Sequence, residues 1–135
     1  MKLFPMLFCG ITFSIAYFTN QSNELTKSMA RGKEIYNETC IACHLGKGEG
    51  LKGTFPPLAK SDYLIKTPKK AIASIKYGLK GKIVVNGIVY DGMMPSPNLG
   101  NDEIADVMNY ILNSWSNVSK QPMITEKMVN GVNFK

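Results

Sequence analysis

The sequence predicts a small all-α domain of three to four helices, with one β-hairpin inserted before the last helix. Two apolar stripes at helical spacing support this fold class, one within residues 67–79 and one within residues 101–115. Between them, Asn86-Gly87 separates two runs of β-branched residues, which is the strongest short hairpin signal. With 135 residues, 44% of them hydrophobic, the chain has room for one folded domain and little more.

The first helix is expected to begin at Met29 and to run toward Cys40, with Ile35 and Tyr36 on one buried face. Residues 45–60 follow it and contain four glycines and two prolines. This composition predicts a loop rather than a helix. A loop of that length in a small domain suggests a function or a wrapped ligand.

The second and last helices each begin at a recognisable cap. Thr67 supplies an N-cap and Pro68 follows it in the first turn. The apolar stripe of this helix comprises Ala71, Ile72, Ile75 and Leu79. Acidic residues follow Asn101 at the start of the last helix, where they suit the positive end of the helix dipole. The stripe of the last helix comprises Ile104, Val107, Met108, Ile111 and Trp115.

Residues 1–16 are expected to be an export signal peptide and not part of the domain. Lys2 gives a short positive start, and an apolar run ends in small residues at Ala16, which is a plausible cleavage site. One alternative is a retained membrane anchor, although the run is shorter than the roughly 20 residues of a spanning helix. Another is a lipoprotein site at Cys9, which the bulky Phe8 disfavours. Cleavage predicts a periplasmic or otherwise exported protein, and retention predicts anchoring to the outer face of the cytoplasmic membrane.

The rest of the chain divides into three predicted parts. Residues 17–28 are interpreted as a linker, because residues 21–28 are polar, and residues 29–118 are expected to form the folded domain. Residues 119–135 are interpreted as a polar C-terminal tail with a short helix around residues 125–129. No internal repeat is visible.

One cluster of residues carries chemistry. Without residues 1–16, the cysteines that remain are Cys40 and Cys43, and the single histidine of the chain is His44. Cys-x-x-Cys-His is the attachment motif for haem c, because two thiols about one helical turn apart can add to the two vinyl groups of a haem. Structural zinc usually needs four ligands, and a thioredoxin-like motif follows a strand in an α/β chain. The motif therefore predicts one covalently bound haem c, with His44 as an iron ligand.

The second axial ligand is expected to be a methionine, since one histidine excludes bis-histidine coordination within the chain. The methionines beyond the signal are Met29, Met93, Met94, Met108, Met123 and Met128. Met108 lies on the apolar stripe of the last helix and is interpreted as core packing. Met93 and Met94 follow the hairpin in a loop that could close over the other face of the ring.

Three further segments carry a family resemblance. They are Gly32-x-x-x-Tyr36-x-x-x-Cys40, Phe55-Pro56-Pro57-Leu58 and Tyr90-Asp91-Gly92-Met93-Met94-Pro95. Together with the attachment motif, they make residues 29–118 resemble class I cytochromes c. They are similar in particular to small bacterial cytochromes and to the cytochrome domains of alcohol dehydrogenases and copper nitrite reductases. The resemblance implies a cytochrome c fold, with three to four helices around one haem and a small hairpin insert.

The resemblance also implies roles for individual residues. Pro56 matches the proline whose backbone carbonyl accepts the N–H of the proximal histidine, and such a bond fixes the orientation of the imidazole. In that family the methionine directly before a proline is the axial ligand, which selects Met94 over Met93. The implied haem site comprises Cys40, Cys43, His44, Met94 and Pro56, with His44 and Met94 bound to iron.

The expected function is one-electron transfer between exported or membrane-bound redox proteins, such as a terminal oxidase, a dehydrogenase or a reductase. An iron with both axial positions filled leaves no position for a substrate, and no other catalytic set is visible, so no enzymatic activity is expected. One alternative is an electron-accepting subunit of a larger dehydrogenase or oxidase complex. Another is a gas sensor or enzyme in which Met94 is labile.

The charge of the chain bears on its partners. It carries 16 Lys and Arg against 10 Asp and Glu. Nine lysines lie between the attachment motif and the end of the first strand: Lys47, Lys52, Lys60, Lys66, Lys69, Lys70, Lys76, Lys80 and Lys82. They form either an ordinary solvated surface or a positive rim that steers the domain to an acidic docking surface. Nucleic acid is not an expected partner, since Arg31 is the one arginine.

Overall fold

The computed structural model describes residues 9–117 and 121–133, so parts of the expected signal and tail (1–8, 118–120 and 134–135) lie outside the described residues. The elements, in chain order, are α1 (Cys9–Thr39), α2 (Ile41–His44), α3 (Asp62–Lys66), α4 (Pro68–Tyr77), β1 (Leu79–Val85), β2 (Ile88–Met94), α5 (Asn101–Leu112) and α6 (Glu126–Asn130). Three of the six helices, α2, α3 and α6, have only four or five residues. The fold confirms the predicted all-α class with a small hairpin insert.

Helix α1 begins at Cys9 and not near Met29, so the segment interpreted as a linker, residues 17–28, is helical. That segment contains neither glycine nor proline, and nothing in it would end a helix. Most of its polar side chains from residue 22 onward face solvent, while Ser28 is fully buried. A polar composition is typical of an exposed helix as well as of a linker, which is why the sequence was misleading here. Within the described residues, no helix combines the length and apolarity needed to cross a membrane.

The main packing contact lies between α1 and α5. Gly32 lies at their crossing, where a Cβ atom would collide with the backbone oxygen of Asp106. One turn later, the fully buried ring of Tyr36 packs against Tyr110 and Trp115, with centroids 5.5 and 5.1 Å apart. These contacts fix the C-terminal end of α1, directly before Cys40.

Strands β1 and β2 pair antiparallel, from Leu79 opposite Met94 to Val85 opposite Ile88. Asn86 and Gly87 form the turn, with φ angles of 51° and 77°, as a two-residue hairpin loop requires. One face of the hairpin turns to the interior, and its buried or half-buried side chains include Ile83, Val85, Tyr90 and Met94. The hairpin thereby forms a wall beside the core.

The C-terminal tail is part of the core. Its buried side chains are Ile124, Val129 and Val132, all of which belong to the main hydrophobic cluster. Lys76 Nζ donates to the backbone oxygen of Val129 at 3.1 Å, and Tyr77 Oη donates to that of Val132 at 2.9 Å. The tail therefore bridges α5 to the C-terminal end of α4, although its overall composition is polar.

Candidate haem site

The attachment motif lies at the corner between α1 and α2. Cys40 N donates to Tyr36 O at 2.9 Å, which is the last helical bond of this segment, and His44 N donates to Cys40 O at 3.0 Å. This turn of helix places the two thiols about one turn apart. Cys40 is half-buried and Cys43 is exposed, and neither forms a disulfide. Burial raises the pKa of the Cys40 thiol, so it rests in the protonated form.

The imidazole of His44 is buried and oriented by one hydrogen bond. Its Nδ1 lies 3.0 Å from the backbone oxygen of Pro56. A carbonyl can only accept, so Nδ1 carries the proton, and Nε2 is left with its lone pair for a metal. Burial lowers the pKa of His44, which favours the neutral form that binds metals.

The loop between His44 and Pro56 folds back on itself to make that bond. Gly50 N donates to His44 O at 3.1 Å, and Leu51 and Phe55 exchange two backbone hydrogen bonds of 2.8 Å. A Cβ atom on Gly50 would lie 2.7 Å from the backbone oxygen of Pro56, so only glycine lets the two backbones approach this closely.

Two adjoining cavities of about 100 and 70 Å³ open beside His44. Both are lined by His44, Pro56, Leu79, Ile83 and Met94. Cys43 borders one of them and Cys40 the other. The thiols, the imidazole and the thioether thus converge on a single cleft between the motif, the loop and the inner face of the hairpin.

The two candidate methionines are differently placed. Met93 is 73% exposed and lies on the outer face of the hairpin, opposite Lys80. Met94 is half-buried, packs against the main hydrophobic cluster and lines both cavities, whereas Met93 borders one. Adjacent residues of a strand point to opposite faces, and of the two methionines Met94 is the one that lines the cleft on both of its sides.

The residues present fit a haem. The cleft is largely apolar, and it offers two thiols, an imidazole with Nε2 available and a thioether, which are soft and borderline donors suited to iron in a porphyrin. Across residues 9–117 and 121–133, no group of three or more His, Cys, Asp or Glu could hold a metal ion by itself. A zinc site of the usual kind is therefore not supported.

The structure adds residues that motif reasoning missed. Ile83 and Tyr90 line the cleft from the hairpin, and Tyr63 and Leu64 line it from α3. The alternation of Ile83, Val85, Ile88 and Tyr90 along the strands is a period-2 signal that could have identified the hairpin as a cleft wall. No comparable signal marks the two short-helix residues.

Comparison with known proteins identifies the family. The sequence model of the Cytochrome c family matches residues 29–115. Cytochrome c-552 of Thermus thermophilus is 39% identical over 101 residues, which cover 71% of this chain and 68% of that protein. The cytochrome c subunit of the quinone alcohol dehydrogenase of Gluconobacter oxydans is 26% identical over 100 residues, 64% of this chain but 18% of that protein. The cbb3-type cytochrome c oxidase subunit CcoP of Azospirillum brasilense is 33% identical over 98 residues, which cover 65% of this chain and 31% of that protein.

Two observations therefore agree. The family model matches most of the chain, and the thiols and imidazole of the attachment motif line the same cleft as the thioether of Met94. The covalently bound haem c that the attachment motif predicts is confirmed by the family match and by the cytochrome c-552 relative. This chain belongs to the cytochrome c family and is an electron-carrying c-type cytochrome that binds one haem c covalently.

Proposed function

We propose that this cytochrome passes single electrons between two larger redox proteins outside the cytoplasm. Cys40 and Cys43 would hold the haem through thioether bonds, and His44 and Met94 would bind its iron. The observation that carries this assignment is the cleft in which His44, held by Pro56, and Met94 both line the same two cavities. The bound haem supplies the ferric–ferrous couple.

The protein's own contribution to this couple comes from His44, Pro56 and Met94. The Pro56 carbonyl holds the imidazole in one tautomer and one orientation, and it raises the basicity of Nε2. A thioether ligand and an apolar lining both favour the ferrous state and raise the reduction potential. With His44 and Met94 filling both axial positions, no substrate site remains, which supports a carrier over an enzyme or gas sensor.

The axial assignment is tested by comparing Met94→Ala with its neighbour Met93→Ala. Met94→Ala is expected to abolish the weak red absorption of a ferric iron–methionine bond, lower the reduction potential and permit rapid binding of carbon monoxide to the reduced protein. Met93→Ala is the matched control, because it removes the same side chain from the exposed outer face. A reversed pattern would assign the iron to Met93, and loss of the red band in neither variant would reject both.

The covalent attachment is tested by Cys40→Ala combined with Cys43→Ala. The purified parent protein should retain haem stain on a denaturing gel, and the double variant should not. Because the haem would fill the centre of a small domain, we expect the double variant to lose cooperative unfolding. Stain that leaves the parent chain on acid-acetone extraction would contradict thioether bonds.

A free carrier and a subunit of a larger complex are separated by co-purification. The alcohol dehydrogenase subunit and CcoP are named as parts of such complexes, and the same domain can serve either role. We expect this chain to purify from native cells without a bound partner. We also expect cleavage after Ala16, so that the first residue of the mature protein is Tyr17. A partner that stays bound through purification would favour a subunit, and an intact N-terminus would favour an anchored carrier.

A further inference from the structure

We propose that Ser96 is a positioning residue for Met94. Its hydroxyl fastens the segment Met94-Pro95-Ser96 to the C-terminal end of α4 and limits how often the iron loses its methionine. This inference rests on the proposed ligation by Met94. It concerns a contact that lies outside the cleft and that the attachment motif does not predict.

The hydroxyl of Ser96 hydrogen-bonds to backbone carbonyls at the C-terminal end of α4. Ser96 Oγ lies 3.2 Å from the backbone oxygen of Ile75 and 3.0 Å from that of Lys76, in the last turn of α4. Carbonyls in the last turn have no partner within their own helix and need one from elsewhere. The same Oγ accepts from Asn98 N at 3.2 Å, so one side chain ties the segment to α4 and shapes its next turn.

The segment that joins Ser96 to Met94 is conformationally restricted, so a bond made by Ser96 also restricts the backbone of Met94. Ser96 lies between Pro95 and Pro97, whose rings fix their own φ angles. A residue before a proline is also held in an extended conformation, which applies to both Met94 and Ser96. Only one residue, Pro95, therefore separates Ser96 from Met94, and its φ angle is fixed.

A second contact joins the same two segments. Gly78 caps α4 with a φ of +79°, and a Cβ atom there would lie 2.8 Å from the backbone oxygen of Met94 and 3.1 Å from Ser96 N. Glycine thus lets the end of α4 lie directly against the backbone of the ligand. On its other side α4 is held by buried Ile72 and by the bonds of Lys76 to the tail, so it is a firm support.

These contacts give Ser96 a measurable role. A methionine–iron bond opens when the backbone carrying the thioether moves away, and fastening that backbone reduces the open fraction. Exogenous anions such as cyanide bind ferric iron only in the open state, so their rate of binding reports that fraction. The hydroxyl is partly exposed to solvent, and an ordinary hydrogen bond in such a place corresponds to about a two- to fivefold change in an equilibrium.

The experiment measures cyanide binding to the ferric holoprotein, together with its red absorption band. Ser96→Ala is expected to accelerate cyanide binding about two- to fivefold and to weaken the band, while Ser96→Thr, which keeps the hydroxyl, restores parental values. Thr67→Val is the matched control: it removes a hydroxyl-to-carbonyl bond of 2.6 Å to Tyr63 at the end of α3. It is expected to lower stability without changing the cyanide rate.

The outcomes are distinguishable. Parental rates in Ser96→Ala, with strong acceleration in Met94→Ala, would overturn the role of Ser96 and leave the ligand assignment standing. Equal acceleration in Thr67→Val would also overturn it, because general destabilisation would then explain the effect. A parental band and rate in Met94→Ala would reject the axial assignment and, with it, the role of Ser96.

Discussion

Asn109 holds the C-terminal tail to the two main helices by one side chain. Its Nδ2 donates to Ser28 Oγ at 2.8 Å and to the backbone oxygen of Ile124 at 2.9 Å, and its Oδ1 accepts from Ile124 N at 2.8 Å. Asn109 is 1% exposed and Ile124 is 2% exposed. Both backbone polar groups of Ile124 are therefore satisfied in the interior by the same amide.

Asn109→Ala should leave these two groups of Ile124 buried without partners. A buried donor or acceptor that loses its partner costs about 1–3 kcal/mol. Water that enters the space left by the side chain will offset part of the cost for the two groups, so we expect a loss of about 2–4 kcal/mol in the free energy of unfolding. A small domain has about 5–15 kcal/mol in total, and the loss should therefore be conspicuous.

The measurement is denaturant unfolding of the ferric holoprotein, with amide hydrogen exchange of residues 121–133. Asn113→Ala is the matched control, because Asn113 lies one turn further along the chain and its exposed side chain donates from Nδ2 to Asn109 O at 2.8 Å. It should cost about 0.5 kcal/mol, as substitutions at the surface do. Equal losses in the two variants, or unchanged exchange at Ile124, would refute the reasoning by showing that water satisfies this backbone already.

Three further outcomes follow from the structure. Gly32→Ala should lower the free energy of unfolding by about 1–3 kcal/mol in thermal melts, because its Cβ would strike the backbone of Asp106; unchanged stability would mean that α1 and α5 can separate freely. The pKa of Asp62 is lowered mainly by the N–H of Asn86. At pH values above its ordinary pKa, the Asp62 carboxylate therefore stabilises the hairpin turn. This stabilisation is lost as the pH falls through the lowered pKa of the folded protein. The protection factor of the Asn86 amide against hydrogen exchange should fall below about pH 4, and a flat profile would argue against the bond. The on-rate to a physiological partner should fall as the Debye length shrinks from about 30 Å at 0.01 M salt to about 8 Å at 0.15 M; a flat rate would leave the lysines as solvated surface.

The elements with strong local signals could be predicted from the sequence. Asn86-Gly87 specifies its turn through positive φ angles that other residue pairs rarely adopt, and the structure has both. Thr67-Pro68 marks the start of α4 because a proline belongs in a first turn, and α4 begins at Pro68. Where the backbone requirement is local, one or two residues are enough.

The beginning of α1 and the role of the tail were not predictable in this way. Residues 21–28 are mostly polar, and composition alone does not distinguish an exposed helix from a linker. In the tail, Ile124, Val129 and Val132 are isolated apolar residues without a helical period over more than one turn. Their burial depends on the surface that α4 and α5 present to them, and that surface exists only in the folded protein.

The residues of the candidate haem site also differ in how far a local sequence pattern identifies them. Cys40, Cys43 and His44 are adjacent in the chain, so their spacing alone indicates the chemistry. Met94 lies fifty residues away, and its selection over Met93 came from a resemblance and from Pro95 beside it. Ser96, Gly78 and the loop around Gly50 act through backbone contacts across the fold, and no local pattern announces such contacts.

The hairpin is the element in which local and distant requirements meet. Its alternation turns Ile83, Tyr90 and Met94 inward, yet the rung between them pairs two glycines, Gly81 with Gly92. Gly81 has a φ of +98°, which only glycine adopts readily, but Gly92 has no such backbone angle to explain it. Both border the first cavity, and a Cβ atom on either would meet no protein atom within 4 Å. The side chains missing from this rung are therefore not excluded by the protein itself. Their absence leaves open space on the wall of the cleft, as is typical where a ligand approaches a strand closely, and this space would admit the haem that we propose His44 and Met94 to bind.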